Sequence, residues 1–238
     1  KQRVKNANFT LKKGEILGIS GLIGSGRTEL ISSIFGTYEG SKTGECIFNG
    51  KKINIKSAKE ALKTGISMVP EDRKQDGIIA DMSVEKNMTL SNLDSYTKAA
   101  DYVDTYREKT DVRRYIDLLK IKTTSEDLAI KNLSGGNQQK VVLAKNLLVN
   151  PKIIILDEPT RGVDVGAKYE IYKNIVELAE RGISVIMVSS ELPEVLGISD
   201  RIIVMHEGEI KGEFINKDVT QEMIMEAAIV GGRNESGN

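Results

Sequence analysis

A glycine-rich stretch between an apolar strand and a helix is the first candidate for chemistry. It runs Gly21-x-x-x-x-Gly26-Arg27-Thr28 and follows the strand-like run Glu15–Ser20. Glycines let backbone N–H groups curl around phosphate oxygens, and the N-terminus of the next helix adds its positive dipole end. Arginine in place of the usual lysine keeps the charge in a planar fork. Alone, the stretch could be an ordinary turn. As a phosphate loop, its predicted nucleotide-binding residues are Gly21, Gly24, Ser25, Gly26, Arg27 and Thr28, with the Thr28 hydroxyl also on Mg²⁺.

Two carboxylates at the end of an apolar strand are the second candidate. Asp157 and Glu158 follow the run Ile153–Leu156 and therefore stand at the carboxyl edge of a sheet, where ligand sites of α/β proteins lie. Asp157 is predicted to hold Mg²⁺ through water, and Glu158 to polarise an attacking water as general base. An acidic pair after a strand can also cap the next helix.

The third candidate is a serine with two glycines at the head of a helix, in Leu133-Ser134-Gly135-Gly136-Asn137. A helix that begins this way offers a second anion-binding N-terminus. The alternative is a helix cap followed by a flexible turn. The functional interpretation is favoured because all three candidates occur in order, each in the strand or helix context that its role requires.

Hydrophobic spacing predicts the elements that must hold these residues in place. Residues 4–48 are expected to form strand, turn, strand, glycine-rich loop, helix (Arg27–Phe35, ended by Gly36) and strand. Residues 72–138 are charged and helical, with an apolar stripe that predicts core packing. The stripe is Val112, Tyr115, Ile116 and Leu119.

Alternation of strands and helices returns after Val141. The expected elements are a helix to Leu148, a strand Ile153–Leu156, a helix Lys168–Arg181, a strand Ser184–Val188 and a strand pair around Arg201–Ile210. Buried strands that alternate with helices predict an α/β fold with a mostly parallel sheet, a small antiparallel β portion and an inserted helical lobe. The predicted division is an α/β core of residues 1–70 and 139–230, a helical subdomain of 71–138 and a tail of 231–238.

Composition excludes several classes of protein. Lys+Arg and Asp+Glu are both 34, so no net charge attracts nucleic acid or anionic lipid. The single cysteine, Cys46, cannot form an internal disulfide, which fits a reducing compartment, and its strand-like setting predicts a buried thiol. No apolar run approaches the roughly 20 residues of a membrane-spanning helix, and no signal peptide is evident. A first residue of lysine suggests a piece of a longer polypeptide.

With these motifs in order, the chain resembles the ATP-binding-cassette (ABC) ATPases. The phosphate loop corresponds to Walker A, Leu133–Asn137 to the signature, and Asp157-Glu158 to the end of Walker B. Asp164, in Gly162-Val-Asp164, corresponds to the D-loop that crosses to the partner subunit. A finer resemblance, to the C-terminal cassette of tandem ATPases of ribose, galactose and xylose importers, rests on Pro70-Glu-Asp-Arg-Lys74, Ser134–Lys140, Glu158–Lys168 and Ser189–Glu194. Stretches such as Lys168–Lys173 and Thr220-Gln-Glu are most similar to the xylose branch.

Three positions depart from the general pattern of that family. Arg27 replaces the phosphate-loop lysine, Glu71 stands where the Q-loop glutamine is expected (Asp72 is the other alignment), and Ser190 stands where a histidine senses the γ-phosphate. With Glu158, Glu71 and Ser190 are the predicted catalytic positions. His206 is expected to be structural. In the family two cassettes meet head to tail, so the resemblance implies that the intact signature serves the partner's ATP while this chain's own site is degenerate.

The resemblance implies an ATP-hydrolysing C-terminal half of a bacterial monosaccharide importer that uses ATP and Mg²⁺. Its implied partners are the N-terminal cassette, membrane permease subunits reached through the helical lobe and, indirectly, a periplasmic or lipid-anchored sugar-binding protein, with no nucleic acid. Its implied location is the cytoplasmic face of the membrane, as a peripheral protein. One alternative is a weakly catalytic regulatory half that mainly supplies its signature. Another is a DNA-repair or chromosome-organising ATPase, which would need a long coiled-coil insertion that the sequence lacks.

Overall fold

The computed structural model describes residues 3–97 and 102–230, the side chain of residue 230 excepted. The predicted tail at 231–238 lies outside these residues. The strands are β1 (Ile16–Gly21), β2 (Cys46–Phe48), β3 (Lys51–Ile53), β4 (Ile66–Val69), β5 (Ile153–Asp157), β6 (Ser184–Val188), β7 (Arg201–His206) and β8 (Glu209–Ile215). The α-helices are α1 (Arg27–Phe35), α2 (Ala58–Thr64), α3 (Val84–Thr89), α4 (Thr105–Leu118), α5 (Gly135–Leu147), α6 (Val165–Glu180), α7 (Leu192–Ile198) and α8 (Gln221–Val230).

Six strands form one sheet in the order β4-β5-β6-β1-β7-β8, and β2 pairs with β3 in a separate ribbon. All neighbours in the large sheet are parallel except β7 and β8, and the ribbon is antiparallel. Within the described part of residues 70–152 the chain forms helices and isolated bridges but no strand. The predicted α/β fold is therefore confirmed, while the residue boundaries drawn for the helical subdomain stay a prediction.

Apolar residues cover both faces of the large sheet, as expected for parallel strands flanked by helices. Successive residues of β5 alternate between two cores, because side chains along a strand point to opposite faces. Ile154 packs in the core that contains α5 and α6, whereas Ile155 packs in the core that contains α1. The strands are thus fixed from both sides, and the loops at their carboxyl ends stand on a rigid base.

Two local predictions are confirmed in detail. Helix α1 has the predicted bounds, and Gly36 ends it in the left-handed region at φ 85°, with its N–H donating to Ser32. In the apolar stripe of α4 and the turn after it, Val112, Tyr115 and Leu119 are buried and Ile116 packs against them, as expected. The predicted helix from 168 begins earlier, at Val165 in α6.

Two other predictions are wrong. Residues 4–9 form no strand, and the segment lies instead against a turn, where the Lys5 N–H donates to the Gly208 carbonyl oxygen. Phe9 packs on the α1 side of the core from this irregular segment. Cys46 is exposed rather than buried, since its ribbon lies outside the large sheet.

His206 ends β7, and its Nδ1 lies 2.6 Å from the carbonyl oxygen of Ala228 in α8. The predicted structural role of this histidine is consistent with that contact. No helix among the described residues combines the length and the apolar character needed to cross a lipid bilayer.

Candidate functional site

The glycine-rich loop connects the end of β1 to the first residue of α1. Gly26 stands immediately before the helix at φ 97°, a left-handed conformation that glycine adopts without strain. Gly21 sits at φ 152°, and a Cβ there would lie 2.4 Å from the Met205 carbonyl oxygen. Both positions therefore need glycine for backbone shape and space. A Cβ added at Gly24 would meet no atom of the described residues within 4 Å, so that side of the loop is open.

Two polar side chains of this loop are buried without a hydrogen-bond partner. The Ser25 hydroxyl and the Nη1 atom of Arg27 are both shielded from solvent, and neither reaches a partner among the described residues. Arg27 Nη1 lies 3.7 Å from the Glu158 carboxylate, which is an ion-pair distance but too long for a hydrogen bond. Buried polar groups are normally paired. The loop therefore has unpaired donors that suit an anionic ligand.

Asp157 is the last residue of β5 and is 1% exposed. Burial first, and then the nearby charges of Glu71 and Glu158, raise the pKa of Asp157 to about 7, against the opposing effects of the Thr28 hydroxyl and Arg27. Its Oδ1 atom has no hydrogen-bond partner within residues 3–97 and 102–230. A cation beside this oxygen would stabilise the ionised carboxylate, so Asp157 and Thr28 together fit the predicted metal position.

Glu158 follows in the left-handed region at φ 46°, which is uncommon for a residue other than glycine. Its backbone N–H donates to Val188 at the end of β6, over 2.9 Å, which fixes the turn. The side chain accepts a hydrogen bond from the Ser190 hydroxyl at 3.2 Å. The structure thus brings Glu158, Ser190 and Arg27 together, and a strained backbone of this kind is found mainly at functional sites.

Glu71 lies near this group, since its charge acts on Asp157. Its carboxylate forms an ion pair with Arg161, which lies between Glu158 and Asp164 in the sequence. Arg161 was not singled out from the sequence, although it was the one cation in the run Glu158–Asp164. The third predicted catalytic position is thus paired with a residue that sequence reasoning missed.

The predicted signature forms the start of α5. Ser134 is the helix cap: its hydroxyl accepts from the backbone N–H of Asn137 at 3.4 Å and from the Asn137 side-chain amide at 2.9 Å. Leu133 is buried, and a Cβ at Gly136 would lie 2.5 Å from the Ala167 Cβ of α6. Among the described residues, no hydrogen bond or ion pair joins residues 133–137 to residues 21–28.

Asp164, the predicted D-loop residue, caps α6, with its Oδ1 accepting from the Ala167 N–H at 3.0 Å. Gly162 precedes it at φ 66°, so the segment turns sharply into the helix. Asp164 therefore has a structural task in this chain, and a role toward a partner's site stays a prediction.

Glu194 is a buried carboxylate that sequence reasoning did not select, although it lies in the quoted run Ser189–Glu194. Four groups donate to it: the hydroxyls of Thr160, Tyr172 and Ser189, the last two at 2.7 Å, and the Lys168 ammonium at 3.2 Å. Burial alone would raise the pKa of Glu194, but these hydrogen bonds outweigh it and hold the pKa below the usual range. The carboxylate ties α7 and α6 to the residues that follow Asp157-Glu158 and to the end of β6.

We expect Glu194→Gln to lower the free energy of unfolding by about 3 kcal/mol at pH 7, because removing a buried, paired charge leaves its donors unmatched. The depressed pKa means that this stabilisation is present above the ordinary glutamate pKa of about 4.3 and is lost as the pH falls through the folded value. Urea unfolding of both proteins between pH 7 and pH 3.5 should show the difference shrinking.

The matched control is Glu191→Gln, because Glu191 pairs with the same lysine but is largely exposed. That change should cost less than about 1 kcal/mol. A stability difference for Glu194→Gln that is independent of pH would contradict the role assigned to its ionised carboxylate.

The polar groups of the glycine-rich loop and of Asp157 suit a nucleotide bound together with Mg²⁺. The Ser25 hydroxyl and the Nη1 atom of Arg27, which form no hydrogen bond to the described residues, suit phosphate oxygens, and the Asp157 Oδ1 atom suits a hard cation. No group of three or more His, Cys, Asp or Glu residues among those described is arranged to hold a metal by itself. Mg²⁺ is usually bound by one or two carboxylates together with substrate phosphates.

Comparison with known proteins gives a consistent result. Residues 4–161 match the family model described as "ABC transporter". The chain is 56% identical over 228 residues to the xylose import ATP-binding protein XylG of Pectobacterium atrosepticum and 57% identical over 228 residues to that of Photobacterium profundum. Each match covers 96% of this chain but only 44% and 45% of those proteins, so the chain spans less than half their length.

Solved structures resemble the chain over nearly its whole length. A nucleotide-free ATP-binding cassette from an ABC transporter superimposes with a TM-score of 0.80 at 24% identity, covering 96% of this chain and 91% of that one. The ATP-binding cassette MJ0796, in a dimeric post-hydrolysis state bound to ADP and Pi, gives 0.76 at 26% identity, covering 91% and 92%.

Proposed function

The chain belongs to the ABC transporter family of ATP-binding cassettes, and from that premise we propose that it is an ATP-binding and ATP-hydrolysing cassette of a bacterial monosaccharide importer. The observation that carries the proposal is the convergence of Arg27, Glu158 and Ser190 beside Asp157, with buried polar atoms left unpaired toward a ligand.

We further propose that the chain is the C-terminal half of a tandem ATPase and that xylose, ribose or galactose is the transported sugar. The similarity to xylose import proteins supports a sugar importer, and a match to less than half of each supports a chain that is one part of a longer protein. The choice of the C-terminal half rests on motifs such as Pro70–Lys74 and Ser189–Glu194. The chain's partners would be an N-terminal cassette in the same polypeptide and membrane permease subunits, with a sugar-binding protein acting indirectly. Its place would be the cytoplasmic face of the membrane.

In the proposed reaction the chain's own residues bind, orient and polarise. Backbone N–H groups of Gly24, Ser25 and Gly26 and the guanidinium of Arg27 bind the phosphates at the N-terminus of α1. The Glu158 carboxylate accepts a proton from the attacking water, a contribution of roughly 10²–10⁴-fold to the rate. Ser190, hydrogen-bonded to Glu158, orients that carboxylate.

Thr28 and Asp157 are the residues that would hold Mg²⁺, which would supply charge neutralisation on the phosphates. Burial and the nearby charges of Glu71 and Glu158 raise the pKa of Asp157, and a cation beside this carboxylate would favour its ionised form. Glu71, paired with Arg161, stands close enough to act on the same charge.

The three positions that depart from the family pattern, Arg27, Glu71 and Ser190, are expected to make ATP hydrolysis at this site slow. An arginine fork is less able than a lysine ammonium to follow charge as it develops on the phosphate oxygens, and Ser190 cannot act as a protonated sensor. The Leu133–Asn137 signature would meanwhile serve the partner's ATP. The competing interpretation, a nucleotide-binding half without turnover, predicts the same binding and no phosphate release.

Titration of Mg-ATP into this chain, followed by phosphate release, tests the proposal. We expect binding at or below millimolar ATP and turnover well below the typical enzyme median of roughly 10 per second. Asp157→Asn should keep ATP binding but lose most of its dependence on Mg²⁺. Absence of binding at millimolar ATP would refute the proposal, and binding with no phosphate release would favour the competing interpretation.

A further inference from the structure

Arg73 contacts two motifs that lie far from it in sequence. It begins the short helical turn Arg73–Gly77 that follows Glu71 and Asp72. Its Nη1 donates to the Arg161 carbonyl oxygen at 2.7 Å and its Nη2 to the Gly162 carbonyl oxygen at 3.2 Å. One planar guanidinium thus binds two successive carbonyls of residues 161–164, hereafter the D-loop.

The same guanidinium lies against the first residue of the signature helix. A Cβ added to Gly135 would stand 2.8 Å from Arg73 Nη2 and 3.1 Å from the Gly162 carbonyl oxygen. Glycine at 135 therefore lets the start of α5, the D-loop and Arg73 approach one another closely. Few side chains other than arginine could fill this place, since lysine offers a point charge in place of a fork.

The segment that carries Arg73 is itself anchored at both ends. On one side, Glu71 pairs with Arg161 of the D-loop. On the other side, a Cβ at Gly77 would lie 3.2 Å from Val142 of α5, and the Gly77 carbonyl accepts from the Lys145 ammonium of α5 at 3.1 Å. Asp72 caps the turn, accepting from the Lys74 N–H at 2.8 Å. Residues 71–77 are thus a brace between the D-loop and α5.

We propose that Arg73 is a positioning residue that holds the D-loop, the start of the signature helix and the segment 71–77 as one unit. Arg73 fixes the relative positions of these three segments, and its effect on ATP hydrolysis rests on the proposed function. In that function the D-loop and signature meet the partner cassette, so a displacement of segment 71–77 reaches the partner's site through Arg73. Arg73 itself binds no nucleotide.

The first test is amide hydrogen exchange of Arg73→Lys and Arg73→Met in the full-length protein that contains this chain. We expect exchange at residues 161–164 to accelerate by at least about tenfold in Arg73→Met, and by less in Arg73→Lys, because the carbonyl anchors are lost while the sheet is untouched. Exchange in β5 and β6 should not change. Unaltered exchange at residues 161–164 would overturn the proposal.

The matched control is Arg113→Met, because Arg113 is an exposed arginine of α4 that pairs with Glu126 on the surface. It should leave exchange at residues 161–164 unchanged, and an equal acceleration would mean that any lost arginine loosens the D-loop. Gly135→Ala is a second variant, since its added methyl would lie 2.8 Å from Arg73 Nη2 and 3.1 Å from the Gly162 carbonyl oxygen. It should also accelerate exchange at the D-loop, and a Gly135→Ala protein with wild-type exchange would count against the proposal.

The second test is steady-state ATP hydrolysis of the same proteins. Arg73→Met should lower kcat at least about fivefold with KM for ATP within about twofold, because the residue positions others without touching the nucleotide. A raised KM with unchanged kcat would refute the positioning role. If the wild-type protein hydrolyses no ATP, the proposed function fails while the exchange result still decides the geometric claim.

Discussion

Full-length protein with Ser134→Arg should lose at least about 99% of its ATP hydrolysis at the partner cassette's site, because an oxyanion-binding group worth roughly 10²–10³-fold is removed and a bulky side chain takes its place. Ser134 caps α5, so its hydroxyl and the helix N-terminus present donors and a positive dipole end. Those groups would stabilise the partner's phosphates. Phosphate release by the full-length variant measures the loss.

The affinity of this chain alone for Mg-ATP should meanwhile stay within about twofold, since no hydrogen bond or ion pair among the described residues connects the signature to the phosphate loop. Calorimetric titration measures it. Ser134→Ala is the comparison variant, because it removes the hydroxyl both as a helix cap, at a cost of about 1 kcal/mol of helix stability, and as a donor to the partner's phosphate, without adding a bulky side chain. An equal loss of affinity in the isolated chain would mean that the signature serves its own site.

Glu158→Gln should abolish the turnover that belongs to this chain's own site, by roughly 10²–10⁴-fold. Glutamine keeps the shape and can still accept from Ser190, but it cannot take a proton from water. Because a faster partner site would mask the effect, the measurement needs a full-length protein whose N-terminal cassette has its own catalytic carboxylate neutralised. The remaining phosphate release is then compared with and without Glu158→Gln.

ATP affinity serves as the internal control and should not fall, since Glu158 is not among the phosphate-binding groups. Removal of its charge should even relieve the ion pair with Arg27 and leave that guanidinium free for phosphate. Ser190→Ala is the matched variant: it removes the hydroxyl that orients the carboxylate and should slow turnover less than Glu158→Gln does. Residual hydrolysis that is indifferent to Glu158→Gln would show that another group acts as base, or that this site has no turnover.

The parts of the structure that were predicted correctly from the sequence depend on interactions between residues close together in the chain. The bounds of α1, the glycine cap at Gly36 and the serine cap at Ser134 depend on residues within one or two turns of each other, and such interactions can be read along the sequence. The apolar strands that alternate with helices determined the parallel sheet in the same way. Since the carboxyl ends of parallel strands meet at one edge, the meeting of Asp157 with the phosphate loop also followed.

Partners chosen across long sequence distances were decided only by the tertiary structure. The pairing of Glu71 with Arg161, the bridge from Arg73 to the D-loop and the donors around Glu194 each join elements that packing alone brings together. No spacing rule specifies such partners, because a charged side chain is locally compatible with many positions and burial selects one of them. Packing also exposed Cys46, because β2 lies in a ribbon outside the large sheet, and local β propensity cannot distinguish that surface from a core.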